Sequence, residues 1–429
     1  MQFKLSKYLI PSITAMVVVG TNANIDGFFI GRMLGDAGLA AINIVWPIVA
    51  FIASLGTGIG VGGSVIMNRQ RGSGKAFEAE RFKNTTLCML TCVGVLVGTI
   101  LFFVSKQILV AMGAEGEVLK YAEAYAKIIS AGAVFQIIGA GVLVLLRNDH
   151  KTYHSMMLSL TGLTVHIVLN FALVKMHGMY GVAAANVISQ AVIMVIGLAT
   201  VRIDRKAMPK GRFVLQIFAD TAAPFGINFV PSLVLLLTNS FSLYYGGTAA
   251  VSAYAAMSYA VYTFDYVFQG ICDGIQPIVS YCIGERNVRE EARAIKCASI
   301  ILLGFSLLCV MSTPLLVRYM PGILGVSDNA VHMMKRGFWF YAISYPFKAA
   351  VKFVCSYYYA TGKRGISNVL VYLDPFVFTP GFLLILTCMW NIDGVWLSLP
   401  AAQIMLALIG TFAVIKGKNR REYAAGSVQ

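Results

Sequence analysis

The chain of 429 residues is predicted to be all-α: a polytopic membrane protein of twelve transmembrane helices in two pseudo-symmetric six-helix lobes. Three observations carry that prediction. Apolar runs of span length recur from end to end, basic residues crowd into alternate loops, and the second half repeats the glycine pattern of the first. With 58% hydrophobic and 12% charged residues, the composition is far from that of a soluble domain. About 20 apolar residues suffice for a helix to cross the hydrocarbon layer.

The first run, residues 8–31, exceeds a signal-peptide core and lacks a small-residue cleavage site, so it reads as the first span. The others fall at 38–66, 85–105, 121–146, 153–175, 180–201, 217–245, 249–281, 297–317, 333–360, 366–388 and 394–415. An even number puts both termini on one side. Twenty-four of the 34 basic residues lie in segments 4–7, 69–83, 147–151, 202–212, 286–296, 363–364 and 416–421, the termini and the even-numbered loops. Eight lie in or beside the odd-numbered loops, so the positive-inside rule places both termini in the cytoplasm. The net charge of +15 is therefore a statement about orientation, and no nucleic-acid partner is expected. The eight cysteines show neither metal-ligand spacing nor a disulfide framework, which leaves packing as their role.

Sliding the chain by 212 residues sets Gly58 on Gly270, Gly62 on Gly274, Gly72 on Gly284 and Arg81 on Arg293. At 213, Gly181 meets Gly394, Gln190 meets Gln403 and Gly197 meets Gly410. The offset spans six helices, so the halves share one orientation, with the substrate path expected between them. The domains are then an N-terminal lobe, 1–201, a linker, 202–216, and a C-terminal lobe, 217–429, with a short basic tail.

Ionisable groups inside spans are costly, and they are functional candidates by default. Asp26 lies in the first span with Asn22 four residues earlier on the same face. His166 and Asn170 in span five, and Asn186 and Gln190 in span six, are also four apart. Together they are expected to line one cavity, the competing reading being ordinary helix–helix hydrogen bonding. Span eight carries Asp265, Gln269, Asp273 and Gln276 as one stripe, and span ten carries Tyr341, Tyr345, Lys348 and Lys352. The two lysines are expected to face inward and pair with Asp265, Asp273 or Asp374. A structural ion-pair network is the alternative to a substrate cavity built from these residues.

These residues resemble the multidrug and toxic compound extrusion (MATE) family over nearly the whole chain. The resemblance stands on Asp26-Gly27-Phe28-Phe29-Ile30-Gly31-Arg32, on Gly62-Gly63-Ser64 followed by Arg71-Gly72-Ser73-Gly74, and on the second-half copy at 274–284. It implies the MATE/MOP fold and a secondary antiporter that exports amphipathic, cationic organic compounds in exchange for H+ or Na+. The implied coupling site is Asp26 with His166, Asn170 and Asn186, and a Na+ would take Asp26, Asn170 and Asn186. The sequence departs from the family pattern where His166 and Asn170 stand for the Asn and Asp of many members, and where Ser232 stands for a Glu of some. Lys348 and Lys352 also lie outside the pattern. The lost carboxylate weakens the Na+ reading.

The resemblance implies a monomer in a bacterial cytoplasmic membrane, with the bilayer and a small organic substrate as its partners. No cofactor and no bound metal are expected. A flippase-type exporter of a lipid-linked or anionic substrate is the nearest alternative, kept open by the two lysines. An ATP-driven pump lacks its P-loop, since Gly74-Lys75 is followed by Ala76. An intramembrane enzyme would require a nucleophile–base pair or a metal cluster, and His166 has no Glu or Cys at ligand spacing.

Overall fold

Long helices follow from the absence of any polar interval longer than a loop. In a bilayer every backbone N–H and C=O must be satisfied within the segment itself. The computed structural model describes residues 4–324 and 328–426; for 22–24, 31, 32, 35, 36, 323, 324, 328 and 417–426 it describes the helical backbone alone. Asn22, an expected site residue, thus lies outside the described side chains, as do Arg32, Lys418, Arg420 and Arg421.

The elements are α1 (Ser6–Gly72), α2 (Ala76–Ala111), α3 (Gly116–Ala131), α4 (Ala133–Asn148), α5 (Thr152–Thr200), α6 (Gly211–Glu285), α7 (Val288–Leu324), α8 (Asp328–Ala360), α9 (Arg364–Leu373) and α10 (Thr379–Gly426), with one π turn at Asp374–Phe378. No strand occurs among the described residues. Several of these elements each contain two apolar stretches. In α1, separate apolar stretches cover Ser6–Ile30 and Ala37–Gly72. Helix α5 breaks at Gly178, α6 at Gly247 and α10 at Asn391, each with a left-handed φ, at 54°, 64° and 47°. Helices α3 and α4 are long and apolar enough to cross only when taken together, and they bend by 58° at Gly132. Divided at these breaks, and with α2, α7, α8 and the α9 to α10 segment, the elements accommodate the twelve expected spans; among the described residues seven helices are long and apolar enough to cross a membrane, or eight with the α3–α4 pair. Helix α8 is the least apolar of them because it contains Lys335, Arg336, Lys348 and Lys352.

The breaks repeat at the offset of the glycines. Residues 178 and 391 are 213 apart, although one is Gly and the other Asn. Three residues beyond the breaks at 178 and 391 stands a glycine that the close approach of the helices requires. A Cβ on Gly181 would lie 2.3 Å from the Leu173 carbonyl oxygen, and one on Gly394 would lie 2.2 Å from that of Leu386, again 213 residues on. Any side chain there would hold the two helices apart.

By packing, the chain divides into Met1–Phe229 with Asp273–Ala294, and Val230–Cys272 with Ile295–Gln429. The first unit has a core around Ile52, Leu90, Ile137, Leu145 and Ile217. Within it Gly72 and Gly284, repeat partners in the sequence, pack against each other's helix backbone. In the second unit Trp396 is fully buried and stacks on Tyr254 at 6.1 Å, beside buried Phe338 and Tyr341. Exposed apolar side chains run in stripes, Leu96, Ile100 and Phe103 on α2 and Ile300, Leu303, Leu307 and Met311 on α7. Such stripes suit lipid contact.

Candidate functional site

Asp26 is buried, 4% exposed, and its two oxygens are ringed by donors from two other helices. Asn170 Nδ2 donates to Oδ1 at 3.2 Å, and His166 Nε2 lies 2.9 Å from the same oxygen. The Tyr125 hydroxyl donates to Oδ2 at 3.1 Å. Helices α1, α3 and α5 are thereby tied to one carboxylate. The i, i+4 spacing of His166 and Asn170 puts both on one face of α5, which is why the pair converges. Asn186 is buried on the second half of α5, but no hydrogen bond joins it to Asp26 among the described residues, and its Oδ1 has no partner there.

Tyr125 is the member that sequence reasoning missed. Its signal was available: a tyrosine among Ala122, Ala124 and Ala126 in a span, whose hydroxyl needs a partner when buried. Asn170 and Tyr125 present hydrogens to the carboxylate, while the Oδ1 atoms of Asn170 and Asn186 are buried without a hydrogen-bond partner among the described residues. Among the described residues no group of three or more His, Cys, Asp and Glu could bind a metal ion.

The span-eight stripe divides between the two units. In the second unit, Lys348 Nζ lies 3.3 Å from Asp265 Oδ1, and Lys352 Nζ lies 2.7 Å from Oδ2 while also donating to the Asp265 carbonyl at 3.2 Å. Gln269 is buried one turn further along. Tyr345 is buried edge-on to Phe264, with ring centroids 5.3 Å apart. Asp374, at the π turn opened by Pro375, accepts from Thr379 at 2.7 Å and from Gln403 at 2.8 Å.

In the first unit Asp273 takes a different cation from the lysines. Arg147 Nη2 lies 2.9 Å from Asp273 Oδ2, both side chains buried. Gln276 Oε1 accepts from Asn148 Nδ2, and Asn148 Oδ1 accepts from Asn68 Nδ2. Arg147, which the charge pattern assigns to a loop, is thus an internal residue. Of the three carboxylates expected to hold the lysines, Asp265 alone does so. Two clefts of the first unit, about 420 and 500 Å3, are lined by Lys120, Glu123 and Lys127 and by Glu80, Lys83 and Asp149; neither includes a residue of the Asp26 ring.

Outside the spans, the Arg71 guanidinium bridges Glu80 at 2.8 Å and Asp149 at 2.7 Å. Burial pulls its pKa down, but the two carboxylates outweigh burial and leave it above the ordinary value. Neighbouring His150, hydrogen-bonded to the Tyr8 hydroxyl at 2.7 Å, is held below the ordinary imidazole value by burial and by the Arg71 charge.

The MatE family model matches residues 11–172 and 225–412, and so takes in Asp26, His166, Asn170 and the Asp265–Lys348–Lys352 cluster. The chain belongs to the MatE family. This MatE protein is a multi-pass membrane transporter rather than an enzyme. A multidrug export protein MepA of Staphylococcus saprophyticus is 22% identical over 420 residues, covering 92% of this chain and 89% of its own. An outward-facing multidrug resistance MATE transporter of the MOP superfamily superposes with a TM-score of 0.90 at 19% identity, over 99% of this chain and 96% of its own. A Pyrococcus furiosus MOP-superfamily transporter, described as having a binding pocket of reverse polarity, gives a TM-score of 0.90 at 20% identity, over 97% and 95%. The last two likenesses concern the fold.

Proposed function

We propose that this MatE protein is a secondary active exporter of amphipathic organic compounds, driven by protons that enter through Asp26. It acts as a monomer in a bacterial cytoplasmic membrane with both termini inside, and the lobes at 1–201 and 217–429 are its two repeats. The likeness to the multidrug export protein MepA supports export. The observation that carries the coupling is the donor ring on one buried carboxylate, because protonation reverses its hydrogen-bonding role.

Ionised Asp26 accepts from Tyr125 and Asn170 and attracts His166. A proton on the carboxyl makes it a donor on one oxygen and removes the charge that strengthens the remaining contacts. Hydrogen bonds to a charged group contribute about 1.5–3 kcal/mol each. Weakening two or three of them is enough to shift a two-state equilibrium by tenfold to a hundredfold. Since the partners sit on α3 and α5, the two protonation states favour different packings of those helices against α1, and substrate is carried by its preference for one of them.

The test is transport by purified protein in liposomes, with pH and Na+ gradients imposed separately. A pH gradient is expected to drive transport. Asp26→Asn keeps the side-chain volume and is expected to remove gradient-driven transport while the variant stays folded by size exclusion. Transport driven by Na+ alone, or unaltered in the variant, would overturn the proposal.

A further inference from the structure

Inside the membrane layer of the second unit, ammonium groups outnumber the carboxylates that touch them. Lys348 and Lys352 share Asp265, so one positive charge is left over at that cluster. The next carboxylate, Asp374, has both oxygens engaged by the neutral donors Thr379 and Gln403 and feels Lys348 only beyond ion-pair distance. Both ammoniums touch Asp265, but a net positive charge held in the hydrocarbon layer is costly, so its retention points to a ligand that supplies the missing negative charge. The lysines are also the accessible part of their helix face. Their side chains are 14% and 11% exposed, whereas Tyr345 on the same face of α8 is 1% exposed.

We propose that Lys348 and Lys352 form the substrate-recognition site, and that the substrate is an amphipathic organic acid whose carboxylate docks on them. Asp265 holds both ammoniums in place and leaves the pair one net positive charge. It cannot serve as the counter-ion of a cationic drug while two lysines occupy it. Asp273, the other carboxylate of the span-eight stripe, is likewise taken, by Arg147. The aromatic edge of Phe264 against Tyr345 provides an apolar wall near the charged end of the site.

The inference rests on the export reading for its physiological meaning, but it is measured by binding at equilibrium. Loss of gradient-driven transport and loss of anion recognition are therefore separate results. The probes are two xanthene dyes of similar ring size and opposite charge, fluorescein and rhodamine 6G. Their anisotropy is followed with the purified full-length protein in detergent, with empty micelles as the blank. Fluorescein is expected to bind in preference to rhodamine 6G. Lys348→Gln and Lys352→Gln should each weaken fluorescein by about tenfold or more, the loss of one charge-assisted contact. Each single variant leaves Asp265 one ammonium, so the fold has no new unpaired acid. Lys352→Arg should retain binding. Asp265→Asn should tighten it, because both ammoniums then face the ligand; a purely structural ion pair would give the opposite sign. Preference for rhodamine 6G, binding of neither dye, or fluorescein affinity indifferent to both glutamine variants overturns the inference.

Discussion

Replacing Gly72 by alanine adds one methyl group at the tightest backbone contact of the first unit. That Cβ would lie 2.1 Å from the Tyr281 carbonyl oxygen and 2.8 Å from the Glu285 nitrogen. A carbon and a carbonyl oxygen settle at about 3.3 Å or more, so the two helices must part by roughly 1 Å. Backbone cannot rotate out of the way as a side chain can. The contact is reciprocal, since a Cβ on Gly284 would lie 2.1 Å from the Arg69 carbonyl oxygen. Overpacking of this kind costs about 1–3 kcal/mol, and a gap of that width forfeits part of the neighbouring dispersion contacts. We expect Gly72→Ala to destabilise by about 2 kcal/mol and to lower the melting temperature by several degrees, as followed by tryptophan fluorescence of the detergent-solubilised protein. Gly304→Ala is the control, because nothing lies within 4 Å of its added Cβ; helix propensity alone makes it neutral or slightly stabilising. The double variant Gly72→Ala/Gly284→Ala should lose less than the sum of its parts, since both methyl groups open the same contact. A Gly72→Ala protein melting with the wild type, or a Gly304→Ala protein losing as much, would refute the packing argument.

The Arg147–Asp273 pair gives a second test: Arg147→Met leaves a buried acid without its cation and should cost about 3–5 kcal/mol, while Arg147→Met/Asp273→Leu should recover much of that loss in the same melting assay. His150 predicts a pH dependence outside the membrane. Its folded pKa is lowered, so between that value and the ordinary imidazole value of 6.5 the unfolded chain binds more protons than the folded one. Stability should therefore be fully present above about pH 6.5 and fall as the pH drops through that window, with His150→Gln flattening the slope of melting temperature against pH.

The sequence alone determined the elements of this protein, because the bilayer makes span length, basic loops and buried charge readable residue by residue. Asp26, the His166–Asn170 pair and the two lysines all stood out by local spacing, and the glycine repeat showed that Gly72 and Gly284 are equivalent positions. The sequence could not determine partners between helices. Tyr125 lies 99 residues from the carboxylate it reaches, and Lys348 had three acids to choose from until helix rotation set it against Asp265. The hairpin breaks at Gly178 and Asn391 were hidden because one backbone geometry is met by two different residues. Only tertiary packing decided that Asp273 belongs to Arg147 and that two ammoniums are left sharing a single acid. A helix fixes which residues share a face, whereas the charge met by that face depends on how neighbouring helices turn against it.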